Sequence, residues 1–234
     1  MIHTIPLEKL GSFGNDWLTA RYHFSFANYD DPGRRGLGPL LVWNDDRIEP
    51  GRGFDPHGHR DMEIVTYVRT GAITHRDNLG NEGRTEAGDV QVMSAGTGIL
   101  HAEYNLEADP TTLFQIWIAP DREGLKPRWD ARKFPKDAGG GLQVLASGRD
   151  QDAGTGALTI HQDAAVLGGT LAAGETVTHT LGKGRRAYIV PARGAITING
   201  KPAPERSGTA VSGLDCFTIT ADGGEAEVVI VDVP

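Results

Sequence analysis

The chain has 234 residues, 23% charged and 38% hydrophobic, with a net charge of −8. That size suits two small domains or one large all-β unit, and an acidic chain without a basic block argues against direct contact with nucleic-acid phosphates. Cys216 is the only cysteine, which excludes an intrachain disulfide and points to a reducing, cytoplasmic setting. No apolar stretch is long enough to span a membrane, and residues 1–6 lack the charged and apolar regions of a secretion signal.

Short strand signals then follow one another along the chain. They fall at residues 17–26, 39–43, 62–69, 72–75, 90–93 and 113–118 in the first half. They continue at 142–146, 158–161, 165–171, 176–181, 187–190, 195–198, 216–220 and 226–233. Turn residues such as Thr70-Gly71, Ala87-Gly88-Asp89 and Asn199-Gly200 separate them. Many short strands at this spacing read as a sandwich or barrel. One short helix is expected at residues 126–133, and Cys216 is expected as a buried, inert thiol within its strand.

The segment Gly71-Ala72-Ile73-Thr74 recurs as Gly194-Ala195-Ile196-Thr197. Each copy follows an apolar run and a turn, so each is expected to begin the second strand of a hairpin. The echo suggests two related β-barrel domains, one per half. Pro120, Pro127 and Pro135 mark the junction, and the division is drawn as residues 1–130 and 131–234. The acidity is uneven: 10 basic against 17 acidic residues up to residue 117, and 13 against 14 after it. Histidines are uneven too, since the second half holds only His161 and His179, neither near a partner ligand.

The first half carries the chemistry. In Pro56-His57-Gly58-His59 two histidines alternate by two, so both project from one face of an extended chain. In His101-Ala102-Glu103 the same spacing places an imidazole and a carboxylate on one face. Two such pairs on facing strands can converge on one ion, and three imidazoles with one carboxylate suit iron, nickel, manganese, cobalt, copper or zinc. Glu63 has the parity of His57 and His59 and is expected to orient an imidazole rather than to ligate. His75 is expected to be structural, and Tyr104 and Asn105 either to hydrogen-bond behind Glu103 or simply to pack. No phosphate-binding loop, nucleophile elbow or paired-cysteine zinc pattern competes.

These residues resemble the cupin pattern: His57, His59, Glu63 and Gly71 in its first motif, Gly88, Gly96, His101 and Asn105 in its second. The stretch from His57 to Glu103 is more closely similar to the pirin family of two-domain cupins. It contains His75-x-Asp77, Gly88-Asp89-Val90-Gln91 and Ser94-Ala95-Gly96, with Gln115-Ile116-Trp117 and Pro127-Arg128-Trp129 downstream. The resemblance implies an all-β chain of two cupin barrels (double-stranded β-helix, jelly-roll). It implies a metal site on His57, His59, His101 and Glu103, and a C-terminal barrel without one. It also implies a quercetin 2,3-dioxygenase-like activity: one divalent ion, iron first, with a flavonol-like substrate and O2 as partners, carbon monoxide as product, and Glu103 as base. The alternative within the family is a non-enzymatic, iron-dependent regulator that binds a protein partner. A monomer is expected.

Overall fold

The computed structural model describes residues 1–234, and its only helical turns are the 3₁₀ segments Leu7–Lys9 and Asp150–Asp152. In chain order the strands are β1 (Ile2–Ile5), β2 (Gly11–Gly14), β3 (Leu18–Tyr22), β4 (Leu40–Ile48), β5 (Gly53–His59), β6 (Glu63–Thr70) and β7 (Ala72–Asp77). They continue with β8 (Glu82–Glu86), β9 (Val90–Ser94), β10 (Ile99–Tyr104), β11 (Thr111–Ile118), β12 (Arg128–Arg132), β13 (Gln143–Ser147) and β14 (Leu158–Thr159). The last six are β15 (Ala165–Leu171), β16 (Thr176–Thr180), β17 (Arg186–Ile198), β18 (Lys201–Ala203), β19 (Gly208–Ser212) and β20 (Cys216–Val233). The chain is therefore all-β, as the turn-punctuated apolar runs predict.

Two compact units form. One comprises Gly11–Phe134 with Leu158–Gln162; the other comprises Met1–Leu10, Pro135–Ala157 and Asp163–Pro234. The first ten residues, which the sequence division gave to the first domain, cluster with the second because β1 pairs antiparallel with β19.

The first unit holds two antiparallel sheets, ordered β12-β9-β6-β11-β4-β3-β2 and β5-β10-β7-β8. Alternation decides what each strand buries: Leu18, Ala20 and Tyr22 of β3 point inward, while Thr19 between them is exposed. With Ile48, Val68, Ile73 and Leu113 they form one apolar cluster, and Ile64, Met93, Ala95 and Ile99 form a second. Residues 126–133 are not helical. After Pro127 the chain runs as β12 along β9, from Arg128 opposite Ser94 to Arg132 opposite Val90. A ladder along an existing strand outcompetes a helix too short to repay its own nucleation.

Gly71 connects β6 to β7, which lie in different sheets. Its φ is +72°, and a Cβ there would sit 2.6 Å from Thr111 Oγ1, so a side chain is excluded both by backbone and by space. Gly194 repeats the geometry, with φ +73° and a Cβ position 2.4 Å from the Glu225 carbonyl oxygen. The recurring Gly-Ala-Ile-Thr is thus a corner rather than the start of a hairpin strand. In its second copy, β17 continues through the glycine, with register shifts between Pro191 and Ala195 against β20.

The second unit carries the order β1-β19-β17-β20-β15-β13, with β16 on β20 and β18 on β17. Its core includes Ile189, Ile196, Phe217, Ile219, Val228 and Ile230. Cys216 is exposed, not buried: on β20 the inward positions are Phe217 and Ile219, so parity turns its thiol outward.

Asp232, 1% exposed, ties this unit together electrostatically. Its carboxylate accepts from Arg149 Nη1 (2.9 Å), Arg185 Nε (2.7 Å) and His179 Nε2 (2.9 Å). His179 is thus absorbed into an ionic cluster rather than a metal site. Asp232→Ala removes the shared buried anion and leaves Arg149 with Asp152 and Arg185 with the exposed Asp163, and a loss of roughly 1.5–3 kcal/mol is expected. Urea unfolding measures it; a loss below about 1 kcal/mol, typical of an exposed pair, contradicts this role.

Candidate metal centre

The β5–β10 register builds the centre. His101 lies opposite His57, and Ile99 opposite His59. One extra residue in β5 between these pairs and Glu103–Phe54 makes a bulge beside Pro56, which has no N–H to give the ladder. Ring centroids are 4.5 Å apart for His57 and His101, 4.8 Å for His57 and His59, and 5.0 Å for His59 and His101. One nitrogen from each of the three rings can lie within 4.8 Å of the others. The structure therefore brings together the three histidines that the sequence singles out.

Glu103 stands slightly apart. It shares a 4.8 Å group with His75 and His101 rather than with His57 and His59. Both its oxygens are held by the seven-stranded sheet. Gln91 Nε2 donates to Oε1 at 2.6 Å and Gln115 Nε2 to Oε2 at 2.8 Å, with the Thr66 hydroxyl at 3.4 Å from Oε1. Burial pushes its pKa up, against His75 and the Gln115 bond, which hold it down.

Nitrogen assignments follow from what each ring already does. His57 Nδ1 is 2.7 Å from the Asp55 carbonyl, so it carries the proton and donates, leaving Nε2 for an ion. The Tyr104 hydroxyl donates to the Asp55 carboxylate, steadying the residue that holds His57. His101 Nδ1 is 3.3 Å from His75 Nδ1, while its buried Nε2 has no hydrogen-bond partner. A buried imidazole nitrogen left bare between two other imidazoles is what a metal ion would satisfy.

His75 is a residue the sequence reading undervalued. It is fully buried, stacks on Trp129 (4.9 Å, 7°), and places Nε2 3.1 Å from Asp77 Oδ2. With His75 Nε2–H donating to Asp77, its Nδ1 accepts from His101 Nδ1–H, and His101 must present Nε2 to the centre. The signal was present in His75-x-Asp77. Replacing His75 with alanine is expected to weaken metal binding by about 10–100-fold. Competition with a chromogenic chelator reads this; an unchanged affinity contradicts the orienting role.

Glu63 orients none of the three imidazoles of the centre. Its Oε2 accepts from the Ser94 hydroxyl at 2.7 Å, and His161 and Arg128 face it as well. The parity count fails because Asp61, with φ +45°, lies in the connection from β5 to β6, which belong to different sheets, and resets the alternation. Asn105 is a loop staple: its Nδ2 donates to the carbonyls of Ile48 and Asp109, and its Oδ1 accepts from Glu107 N.

A cavity of about 210 Å³ opens on the centre. His57, His59, His101 and Glu103 line it together with Leu18, Tyr22, Phe26, Asn44, Asp46, Phe54, Ile64, Gln115 and Trp117.

The profile of the Pirin family matches residues 6–118, and that of the quercetinase C-terminal cupin domain matches residues 144–233. The chain belongs to the pirin family. Its two halves are accordingly two cupin domains. A pirin-like protein of Caulobacter vibrioides is 55% identical over 99% of this chain and 99% of its own length. A quercetin 2,3-dioxygenase of Escherichia coli is 41% identical over 100% and 99%. The solved structure of the bacterial pirin YhhW from Escherichia coli in complex with nickel(II) is 40% identical, with a TM-score of 0.93 over 100% of this chain and 99% of that one.

Burial, with His57 alongside, lowers the His59 pKa to about 4. Burial, with His57, His59 and His75, lowers that of His101 to about 2. Both rings of this pirin are thus neutral near pH 7, the form that binds a metal. In an unfolded chain each would titrate near pH ~6.5. As pH falls, protons bind the unfolded chain first, so the metal-free fold loses stability from about pH 6.5 through about pH 4 and below. Melting metal-free protein at about pH 7 and about pH 5 checks the sign: the melting temperature falls, and falls less in His59→Leu. An equal fall in both proteins contradicts it.

Proposed function

We propose that this pirin is a metal-dependent dioxygenase of the quercetin 2,3-dioxygenase type, which opens a flavonol-like ring with O2 and releases carbon monoxide. The observation that carries this reading is the cavity set directly on three imidazoles and a buried carboxylate. A closed sensor would have no use for such a space. The names of the relatives point the same way.

His57, His59 and His101 hold the ion through nitrogen, and Glu103 contributes the carboxylate at the same centre. Iron is the expected ion, and nickel, manganese, cobalt, copper or zinc suit the same donors. When bound, the ion supplies positive charge that stabilises the deprotonated 3-hydroxyl of the substrate and a route for its electrons to O2.

The rest falls to the side chains. Glu103 takes the 3-hydroxyl proton; its raised pKa brings it toward the neutral range where a general base works best. Gln91 and Gln115 aim it by holding both its oxygens. Phe26, Phe54, Ile64 and Trp117 offer flat apolar walls that bind an aromatic ring and keep water from the reactive stage. The cavity is smaller than the roughly 300–1,000 Å³ of drug-sized pockets, so the reacting ring and the ring fused to it enter it and the third ring of a flavonol projects from the mouth. The lone cysteine supports a cytoplasmic setting for this chemistry.

The test is metal reconstitution without oxygen, then quercetin, then admission of O2. The expected result is loss of the flavonol absorbance together with carbon monoxide, only when both metal and O2 are present. A fully metal-loaded protein that leaves quercetin intact with every ion contradicts the proposal.

A further inference from the structure

The proposed chemistry leaves two polar residues of the cavity unused. Asn44 and Asp46 lie two apart on β4, so they share one face of the strand. That strand belongs to the seven-stranded sheet, whereas the three histidines stand on the four-stranded one. Both residues line the cavity, and both are buried, at 4% and 3% exposure. Asn44 Oδ1 and Asp46 Oδ1 have no hydrogen-bond partner.

The setting makes these two oxygens conspicuous. A polar row crosses the interior of the sheet: Gln91 lies opposite Thr66, Thr66 opposite Gln115, and Gln115 opposite Asn44. The first three members of the row are spent on Glu103. The row then reaches Asn44, which lies opposite Tyr22 of β3, with Asp46 two positions further along the same strand, and neither the Asn44 nor the Asp46 Oδ1 is used. Asp45 between them faces the other way and pairs with Arg69. Fully buried, unpaired polar oxygens are rare in folded proteins and call for a partner that arrives from outside the chain.

Resting on the flavonol-type reading above, we infer that Asn44 and Asp46 are a substrate anchor that selects aromatic ligands bearing a second hydroxyl group, remote from the one that meets the metal. An oxygen that only accepts requires a donor, and a phenolic O–H is the donor that a flat ligand between apolar walls can bring. Burial, with Asp45 and Glu103 nearby, pushes the Asp46 pKa well up, and a neutral carboxyl group still accepts through its carbonyl oxygen. The metal end of the cavity thus reads the reacting hydroxyl, and the β4 end reads the substitution pattern of the ligand.

The test uses metal-loaded full-length protein and binding read by tryptophan fluorescence. The paired ligands are 3-hydroxyflavone, which has only the reacting hydroxyl, and quercetin, which has others. Wild type is expected to bind quercetin at least tenfold more tightly, about 1.4 kcal/mol. In Asn44→Leu and Asp46→Leu the ratio should fall toward unity, with 3-hydroxyflavone bound as well as before. Melting curves confirm that the variants are folded, and Asp46→Asn, which keeps a carbonyl acceptor, should retain most of the preference. Unchanged ratios in both leucine variants, or equal binding of the two flavonols by wild type, overturn the anchor while leaving the dioxygenase reading intact. If wild type binds neither flavonol, the flavonol reading falls, and the anchor is read with 2-naphthol against 2,7-dihydroxynaphthalene. Loss of the diol preference in the variants then supports it, and equal binding by wild type overturns it.

Discussion

Glu103→Gln is expected to lower flavonol turnover by about 10²–10⁴-fold, while the protein still takes up one metal ion. The substitution keeps the shape of the side chain and removes only its capacity to accept a proton and carry charge. Gln91 and Gln115 now hold the two carboxylate oxygens with their amide N–H groups. One of those amides can turn its oxygen toward the new NH2 group, so the packing survives. Because the three imidazoles converge without Glu103, metal content should stay near one per chain. The split between retained metal and lost turnover is the diagnostic feature. A variant that binds metal and retains turnover within a few-fold would remove Glu103 from the chemistry.

His101→Ala should do more, abolishing stoichiometric metal binding and, with it, O2-dependent turnover. His101 is the most enclosed of the three imidazoles, at 3% exposure, and its ring faces both His57 and His59. It is also the ring that His75 and Asp77 position. Its loss leaves His57 and His59 on one strand facing Glu103, whose two oxygens are held by Gln91 and Gln115 and which converges with His101 rather than with those two rings, so too few ligands close on the ion. Elemental analysis after dialysis reads the outcome, with a melting curve of the metal-free variant as control for folding. One ion per chain retained at wild-type affinity would show that the histidines do not form a single centre.

The three histidines were legible because period-two spacing on an extended chain directs both members of a pair to one side whatever the rest of the fold does. Glu63 was misread by the same rule, because one left-handed residue, Asp61, breaks the strand between it and His59. The polar supports were harder still. Gln91, Gln115, Thr66, Asn44 and Asp46 sit on strands whose inward face depends on which strands pair, and long-range pairing is not written in local pattern. Gln91 and Gln115 stood within the pirin-like motifs, but their role emerges only once Glu103 is seen between them. In the second unit, the strand signals at 187–190 and 195–198, and those at 216–220 and 226–233, are separate in the sequence, with Gly194 and Asp222-Gly223-Gly224 between them. Yet β17 and β20 run through them as paired strands of 13 and 18 residues, since two bent strands that stay paired lose few ladder bonds.

X-ray absorption on the reconstituted wild-type protein, with the metal-to-chain ratio measured on the same sample, addresses the central claim most directly. One ion per chain with about three imidazole nitrogens at roughly 2.0–2.1 Å, the usual distance for a first-row ion such as zinc, is the predicted result. Two ions, a fractional and variable content, or an ion surrounded by oxygen without imidazole scattering would contradict a single centre on His57, His59 and His101.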